Sequence, residues 1–481
     1  MANNDVGSED AQHLLFRFGF ICFAAADGPR NNDEIWAAIR RSWPKIQLGE
    51  FIIHRHPETQ LSHQSQGDKH TVLIGDAFMV GDGDPLALAA GAVGDELLDL
   101  LDRLSGRFVL LIMQGGAGKV FHDAFGARSI FYTINGALAL ASHSHLLACA
   151  FGAKPFLDTP VATQLWLPGD MTMFRDVYAL PPNHCYDIAA RKVVRYWPRK
   201  SRRKTSFDEF FCALDNYLKA LIEFVRPPRR PILSLTGGID SRLIAAAFHH
   251  YGAEFSTVTF TNFHFEPWEA APVAEMSRYL GVPHSEINET NDSVNAAARI
   301  GVRNSGRYNG QRPAVVAGMY RLYGGSPGAI FVLGLGGEAI RGCYNLKLNP
   351  LRDLSAKEMF RVFLEGGKSD KIRALDPDVE SVILSAFEGF RERAGYDRFD
   401  GHEFDVNDIF YWEHRVGIGE SAGLNEIDVA VPSIFGFNSR TVCEAAYGLS
   451  DDERLSKELF VEVIQRYDAH IAAVPFWSTE N

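Results

Sequence analysis

One segment of this chain leaves few folds open. Leu233-Ser234-Leu235 runs into Thr236-Gly237-Gly238-Ile239-Asp240-Ser241-Arg242 and from there straight into a helical pattern. A short apolar strand that ends in paired glycines and restarts as a helix is the first half of a crossover unit, which a parallel neighbour has to complete. The following residues supply those neighbours. A strand is predicted over 231–235, a helix over 241–251 stopped by Gly252, a strand over 255–260, and a helix over 268–280 stopped by Gly281. Beyond them a helix over 315–323 leads into a strand over 329–333, which again empties into a glycine turn, 334–337. The fold class read from this half is α/β with a doubly wound parallel sheet. Two glycine turns at carboxyl ends of strands define a crevice where such sheets bind ligands.

The residue types in the first turn point to an anion. Gly237 and Gly238 let backbone N–H groups approach closely, the helix start adds partial positive charge, and Thr236 and Ser241 add hydroxyls. Ser234, Leu235 and Arg242 flank this pyrophosphate cradle. Asp240 would repel a phosphate directly, so its expected role is to hold Mg²⁺ against phosphate oxygens. A plain turn in which Asp240 or Ser241 caps the helix needs neither both hydroxyls nor the glycine pair. The spacing fits neither GxxxxGK[ST] nor GxGxxG.

At 481 residues the chain is too long for one ordinary core, so two domains are expected. The first half reads as short strands, at 18–24, 71–75, 108–114, 119–123, 129–133 and 138–142, separated by Gly and Asp turns. Between 197 and 207 the composition turns basic. Helical periodicity then takes over at Phe210, Leu214, Leu218 and Ile222. The formal net charge of -12 argues against a nucleic-acid surface. The basic run Arg191, Lys192, Arg195, Arg199, Lys200, Arg202, Arg203 and Lys204 is the local exception, read as a solvated linker before a contact patch for an acidic partner. Cys22, Cys149, Cys185, Cys212, Cys343 and Cys443 show no metal-ligand spacing, and neither disulfides nor a structural metal are expected. The apolar run 14–26 is interrupted by Arg17 and preceded by acids, which favours a buried strand over a signal segment. No apolar run has the ~20 residues of a membrane span, so a soluble cytoplasmic protein is expected.

The loop at 236–242 resembles that of the PP-loop ATP pyrophosphatases, and within them the asparagine synthetase family, with Thr236 in place of the family's first serine. The likeness continues at Leu333-Gly334-Leu335-Gly336-Gly337-Glu338-Ala339-Ile340-Arg341-Gly342, where Gly336 and Gly337 match the second phosphate element and Glu338 falls on its Mg²⁺-binding carboxylate. Asp240 and Glu338 would then share the metal, and Glu338 as a salt-bridge partner of Arg341 is the plainer alternative. Weaker likenesses cover Gly169-Asp170-Met171-Thr172, 177–184, Asp123-Ala124-Phe125-Gly126-Ala127-Arg128, Ala141-Ser142-His143, Trp412-Glu413-His414-Arg415 and 432–440. The resemblance implies a glutaminase-type, Ntn-hydrolase-like α/β sandwich over 1–200 and an ATP-binding synthetase domain over 201–481.

Three departures refine that implication. Glutamine-hydrolysing members begin Met-Cys-Gly, whereas this chain begins Met1-Ala2-Asn3-Asn4 and carries Phe18-Gly19-Phe20 where Cys-Gly-Ile would stand; Cys22 lies inside a strand and has no free α-amine. The first domain is therefore expected to be inactive. Leu335 replaces the glutamate or tyrosine that relatives place there, and leucine takes no proton. The base must come from elsewhere, with His264, Glu266, Glu269, Tyr344, Glu413 and His414 as unranked candidates. The relatives' late Arg-x-Lys element is missing, so Lys457 and a neighbouring arginine, Arg341, are the candidate catalytic cations.

The implied activity is ATP-dependent, AMP-forming amide synthesis without glutamine hydrolysis, on a small-molecule or peptide carboxylate and an amine, with ATP and Mg²⁺ as cofactors. β-Lactam synthetases and lasso-peptide cyclases share this organisation. Rival readings are peptide macrocyclisation, a scaffold with a decayed site, and another PP-loop chemistry such as tRNA thiolation or GMP synthesis. No nucleic-acid or membrane partner is expected, and a homodimer is left open.

Overall fold

The structure, a computed structural model, describes residues 9–29, 31–134, 136–156, 167–262, 265–290, 294–306, 312–343, 345, 350–366 and 377–475. His264 and Tyr344 lie outside the described residues.

The N-terminal strands are β1 (Phe20–Ala24), β2 (Lys45–Leu48), β3 (Phe51–Arg55), β4 (Leu61–Gln66), β5 (Lys69–Met79), β6 (Leu104–Gln114), β7 (Ala117–His122), β8 (Phe131–Thr133), β9 (Ala139–Ala141), β10 (Val177–Ala179), β11 (His184–Asp187) and β12 (Lys192–Arg195). They form two six-stranded sheets, ordered β10-β8-β9-β1-β3-β2 and β12-β11-β7-β6-β5-β4, in which the recorded pairings are antiparallel. Side-chain alternation stacks them. Phe20 and Cys22 of β1 meet Val72, Ile74, Val109 and Leu111 of β5 and β6 between the sheets. Ile21 and Phe23 point the other way, under Trp36 and Ile39 of the helix Glu34–Ser42. Leu73, Phe108 and Leu110 point outward on the second sheet, against Leu97, Leu100 and Leu101 of the helix Gly94–Arg103. The result is a helix-sheet-sheet-helix sandwich, the α/β architecture expected of this half.

The C-terminal strands are β13 (Arg230–Ser234), β14 (Ser256–Phe260), β15 (His284–Ile287), β16 (Ala329–Leu333) and β17 (Ser433–Phe435). They make a five-stranded sheet ordered β15-β14-β13-β16-β17, parallel throughout. Strand order reverses between β13 and β16. Their carboxyl ends therefore flank the crevice of a doubly wound sheet.

Several boundaries move from their sequence-based positions. β5 runs over Lys69–Met79 rather than 71–75, because it pairs with β6 from Lys69 opposite Gln114 to Met79 opposite Leu104. The loop helix covers Ile239–His250, and the helix expected from 268 begins at Ala270 after a 3₁₀ turn at Pro267–Glu269. β4, with the sequence LSHQSQ, has no apolar alternation to betray it.

The two halves share one continuous core, in which Phe108 and Leu110 belong with Leu233, Phe331 and Phe435. Buried ion pairs also tie them. Arg195 forks onto Glu413 at 2.6 and 2.8 Å, while Asn183 and the Tyr396 hydroxyl satisfy the same carboxylate. Breaking such a satisfied pair costs about 3–5 kcal/mol. The basic run is likewise spent internally: Arg191 pairs with Asp27, Arg199 with Asp99 and Asp102, Lys200 with Asp99, and Arg203 with Glu209. Arg195 and Arg199 are largely covered, whereas Arg191, Lys200 and Arg203 pair at the surface. Among the described residues, no helix is long and apolar enough to cross a membrane.

Candidate functional site

After β13 the backbone leaves the sheet in two steps. Leu235 is fully buried, its N–H donating to Val258 and its carbonyl accepting from the Thr259 hydroxyl, so its polar groups remain in the sheet. The turn then tightens around its hydroxyls. Thr236 and Ser241 hydroxyls lie 2.8 Å apart, the Thr236 N–H donates to Ser241 Oγ, and the Gly238 N–H donates to Thr236 Oγ1. These bonds preset the loop. Gly237 donates its N–H to Glu269 Oε2 at 2.7 Å, and the same carboxylate accepts from the Glu266 N–H. A Cβ on Gly237 would stand 2.8 Å from Glu269 Cγ, so only glycine fits there. A carboxylate thus already sits on one of the N–H groups expected to face an anion.

Arg242 departs from its expected place beside pyrophosphate. It is fully buried, and its guanidinium donates to the carbonyls of Gly237, Val474 and Pro475. Burial lowers its pKa to about 10. Its geometry is that of a strap that holds the loop against the segment at 474–475. Ser234 Oγ accepts from the Gly334 N–H, linking the first glycine turn to the second.

The two turns touch backbone to backbone. A Cβ on Gly334 would stand 2.7 Å from the Ser241 nitrogen, and one on Gly337 would fall 2.2 Å from Asp240 Oδ1. Gly336 adopts φ +97°, a left-handed conformation that favours glycine, and starts the short helix Gly337–Ile340. Asp240 and Glu338 therefore sit across a narrow seam. Burial, and then the charge of Asp240, push the Glu338 carboxyl up to about 7. Arg341 binds Asp240 through both Nε and NH2, at 2.7 Å for the closest pair. The plainer alternative, a Glu338 to Arg341 salt bridge, is thus replaced by one from Asp240. The two carboxylates, with Glu338 raised by burial and then by Asp240, are a hard-oxygen donor pair whose chemistry suits a divalent cation such as Mg²⁺.

Around the seam lies a segment the sequence pattern did not reveal. Tyr411–Glu420 winds as a π-helix between the α-helices Val406–Phe410 and Ser421–Ile427, an unusual winding often found at functional sites. Both of its ends interact electrostatically with Glu338. Glu420 adds to the upward push on the Glu338 carboxyl, and Glu338 in turn helps burial raise the Tyr411 hydroxyl. Glu420 accepts from Arg312 at 3.3 Å and lies 3.5 Å from Arg415.

The candidate bases fare differently. Glu413 belongs to the Arg195 pair described above. His414 is buried among Phe363, Phe387, Phe390 and Phe410, and burial drops its pKa to about 3, so it stays neutral. Glu269 is engaged with Gly237. Leu335 packs partly buried against the core. Lys457 is exposed at the start of the helix Glu458–Tyr467, one turn before Phe460, whose ring lies 5.3 Å under the Arg341 guanidinium.

The sandwich reaches this site through one turn. Asp123 accepts from the Ala127 and Arg128 N–H groups and from Asn438, whose own side-chain oxygen accepts from the Phe125 N–H. Phe125 so held packs 5.1 Å from Trp412, and its ring edge would lie 3.6 Å from a Cβ on Gly336. The Trp412 indole donates to the Ala124 carbonyl. Cys22 is fully buried between the sheets, and burial pushes its thiol up to about 12, which keeps it protonated.

No family model matches the chain, and no curated protein matches it. Among solved structures, glutamine phosphoribosylpyrophosphate amidotransferase from B. subtilis, complexed with ADP and GMP, is similar at 13% identity over 73% of this chain and 74% of that one, with a TM-score of 0.23. NMN synthetase from Francisella tularensis is similar at 14% identity over 44% of this chain and 94% of that one, with a TM-score of 0.22. An allosteric regulatory enzyme of purine biosynthesis is similar at 14% over 83% and 89%, with a TM-score of 0.24.

Proposed function

We propose that the chain is an ATP-dependent carbon-nitrogen ligase that adenylates a substrate carboxylate and passes the acyl group to an amine without hydrolysing glutamine. One observation carries this reading: two glycine turns meet at the switch point of the sheet with Asp240 and Glu338 facing across the seam.

The chemistry needs a cradle for pyrophosphate and a way to hold charge as it develops. The start of the helix Ile239–His250 supplies fixed positive potential, with the Thr236 and Ser241 hydroxyls set by their mutual bond, while the N–H groups of 236–238 are held by Ser241 Oγ, Glu269 and Thr236 Oγ1 and would turn to the anion only on release. Asp240 and Glu338 would hold Mg²⁺, which supplies charge neutralisation at the phosphate oxygens. Arg341, released from Asp240, would then turn to the departing pyrophosphate, with Lys457 as the second cation. A substrate carboxylate oxygen attacks the α-phosphorus and the bond to pyrophosphate breaks. The amine nitrogen next attacks the acyl carbon, AMP leaves with the bonding pair, and the nitrogen loses its proton. Glu420, at one end of the π-helix and in electrostatic contact with Glu338, is a carboxylate that could receive that proton. The substrate class follows the β-lactam synthetase likeness, an amide or lactam former in natural-product biosynthesis, with peptide macrocyclisation as the close variant. A scaffold reading has one observation in its favour, the Glu269 carboxylate on the Gly237 N–H.

Incubation with ATP, Mg²⁺ and a panel of amino-acid, β-amino-acid and peptide carboxylates tests the proposal. AMP and pyrophosphate are the expected products, lost by about a thousandfold or more in Asp240→Ala, with no glutamate released from glutamine. ADP and phosphate would overturn adenylation. Silence across the panel would favour the scaffold.

A further inference from the structure

A second cleft lies at the opposite ends of β13 and β16 from the glycine turns. It has a volume of about 480 Å³ and is walled by the sandwich on one side and by 325–330 and Pro432 on the other. That size suits a small organic molecule.

Its charge is arranged unevenly. At the rim, Arg17 forks onto Glu58 at 2.9 and 2.7 Å, and Arg229 meets Asp76 at 3.1 Å. Those cations are balanced. Arg128, on the same wall, is not. It is only 4% exposed, yet its NH1 reaches just the Phe18 carbonyl, at 3.2 Å, and stands 3.6 Å from Asp428 Oδ2, while its Nε has no hydrogen-bond partner among the described residues. Arg107 takes Asp428 Oδ1 at 2.5 Å, and Oδ2 is left facing Arg128 at 3.6 Å, beyond hydrogen-bond reach. One buried carboxylate therefore serves two buried guanidiniums. A buried donor without a partner is rare in folded proteins and commonly marks a missing anion or water. The backbone beside it is also forced: Phe16 and Phe18 both take positive φ, 54° and 57°, a strain that non-glycine residues keep mainly at functional positions.

We propose that this cleft binds a small monocarboxylate, its carboxylate on Arg128 and its apolar body against Pro327, Ala329, Ile330 and Pro432. A guanidinium matches a carboxylate in a two-point fork. With Glu58 and Asp76 neutralised by Arg17 and Arg229, the lining carries one unbalanced positive charge, that of Arg128, which matches a single negative charge. This ligand is distinct from the carboxylate at the glycine turns, being separated from it by the length of the sheet, and the proposal does not rest on ATP chemistry.

Calorimetric titration of the full chain with monocarboxylates from 4-methylpentanoate to N-acetyl-leucine tests it. Saturable binding is expected, with 4-methylpentanamide and inorganic phosphate weaker by about tenfold or more and Arg128→Gln weakening the carboxylate by about tenfold or more. Gln60→Trp, a change at an exposed cleft residue, should block binding and leave thermal unfolding in place, which keeps the proposal testable if Arg128→Gln fails to fold. Asp240→Ala should bind the carboxylate unchanged, separating this site from the glycine turns. The proposal falls if no monocarboxylate in the series binds, if phosphate binds more tightly, or if Gln60→Trp binds as well as the parent.

Discussion

In the sandwich, the groups that could do chemistry have been put away: Cys22 lies between the sheets with its thiol held protonated, and Arg195 spends its charge on Glu413 of the other half. At the carboxyl ends of β13 and β16 the balance differs, because Arg341 pairs with Asp240 while the Glu338 carboxyl is pushed up by burial and by Asp240. Both halves bury charge, but the Arg195–Glu413 pair is fully hydrogen-bonded whereas Glu338 is left with its carboxyl raised beside Asp240. The contrast teaches that burial alone marks no site. What marks one is a buried charge whose neighbours oppose it.

That contrast can be broken most sharply at Gly337. A methyl there would fall on Asp240 Oδ1, so Gly337→Ala should displace the carboxylate and lower pyrophosphate release about a hundredfold, with little change in far-UV circular dichroism. An unaltered rate would mean that the seam is structural only. Phe125→Ala, on the sandwich side, should cost about 3–5 kcal/mol in chemical unfolding and lower turnover about tenfold in the fraction that remains folded, since Phe125 backs Gly336. A stability loss with normal turnover would confine the sandwich to holding the fold.

Proton linkage sharpens the comparison further. Mg²⁺ needs Glu338 ionised, and its carboxyl holds a proton up to about 7. Metal affinity should therefore climb about tenfold per pH unit below that value and level off above it. The metal-free protein should respond in the other direction. Its folded carboxyl keeps the proton to about 7 whereas the unfolded one keeps it only to 4.5, so stability contributed by this group falls as pH rises between them. Glu338→Gln should flatten both curves in metal titrations and thermal melts. The smallest effect belongs to Cys22→Ala, which should cost about 1 kcal/mol and leave pyrophosphate release within about twofold; a large loss of rate would return chemistry to the sandwich.

The sequence spoke most clearly where structure is local. The strand, glycine turn and helix around Thr236 follow from a short pattern, and the second glycine turn repeats it, so the seam could be approached from residue types alone. β4 was invisible because a polar edge strand has no apolar face to alternate. Glu413 and His414 looked available because sequence does not say which way a helix turns its charges, and here they turn inward. Arg242 sits one residue beyond Ser241 in the cradle, but the helix carries it into the interior. Tyr411 and Glu420 are brought within electrostatic reach of Glu338 by a π-helix, a winding that no spacing rule for α-helices would suggest. Arg128 lay within a recognisable turn, yet its shortage of partners depends on Asp428 Oδ2 standing 3.6 Å away.

The turn at 123–128 has a consequence for truncation. Its aromatic ring fills space beside Gly336, and its acid and amide partner bind Asn438 just past β17. Cutting the sandwich away would leave a hole beside the second glycine turn and strand the polar groups of Asn438. Excision is barred by packing, and the half with its cysteine sealed remains a fixed component of the other half.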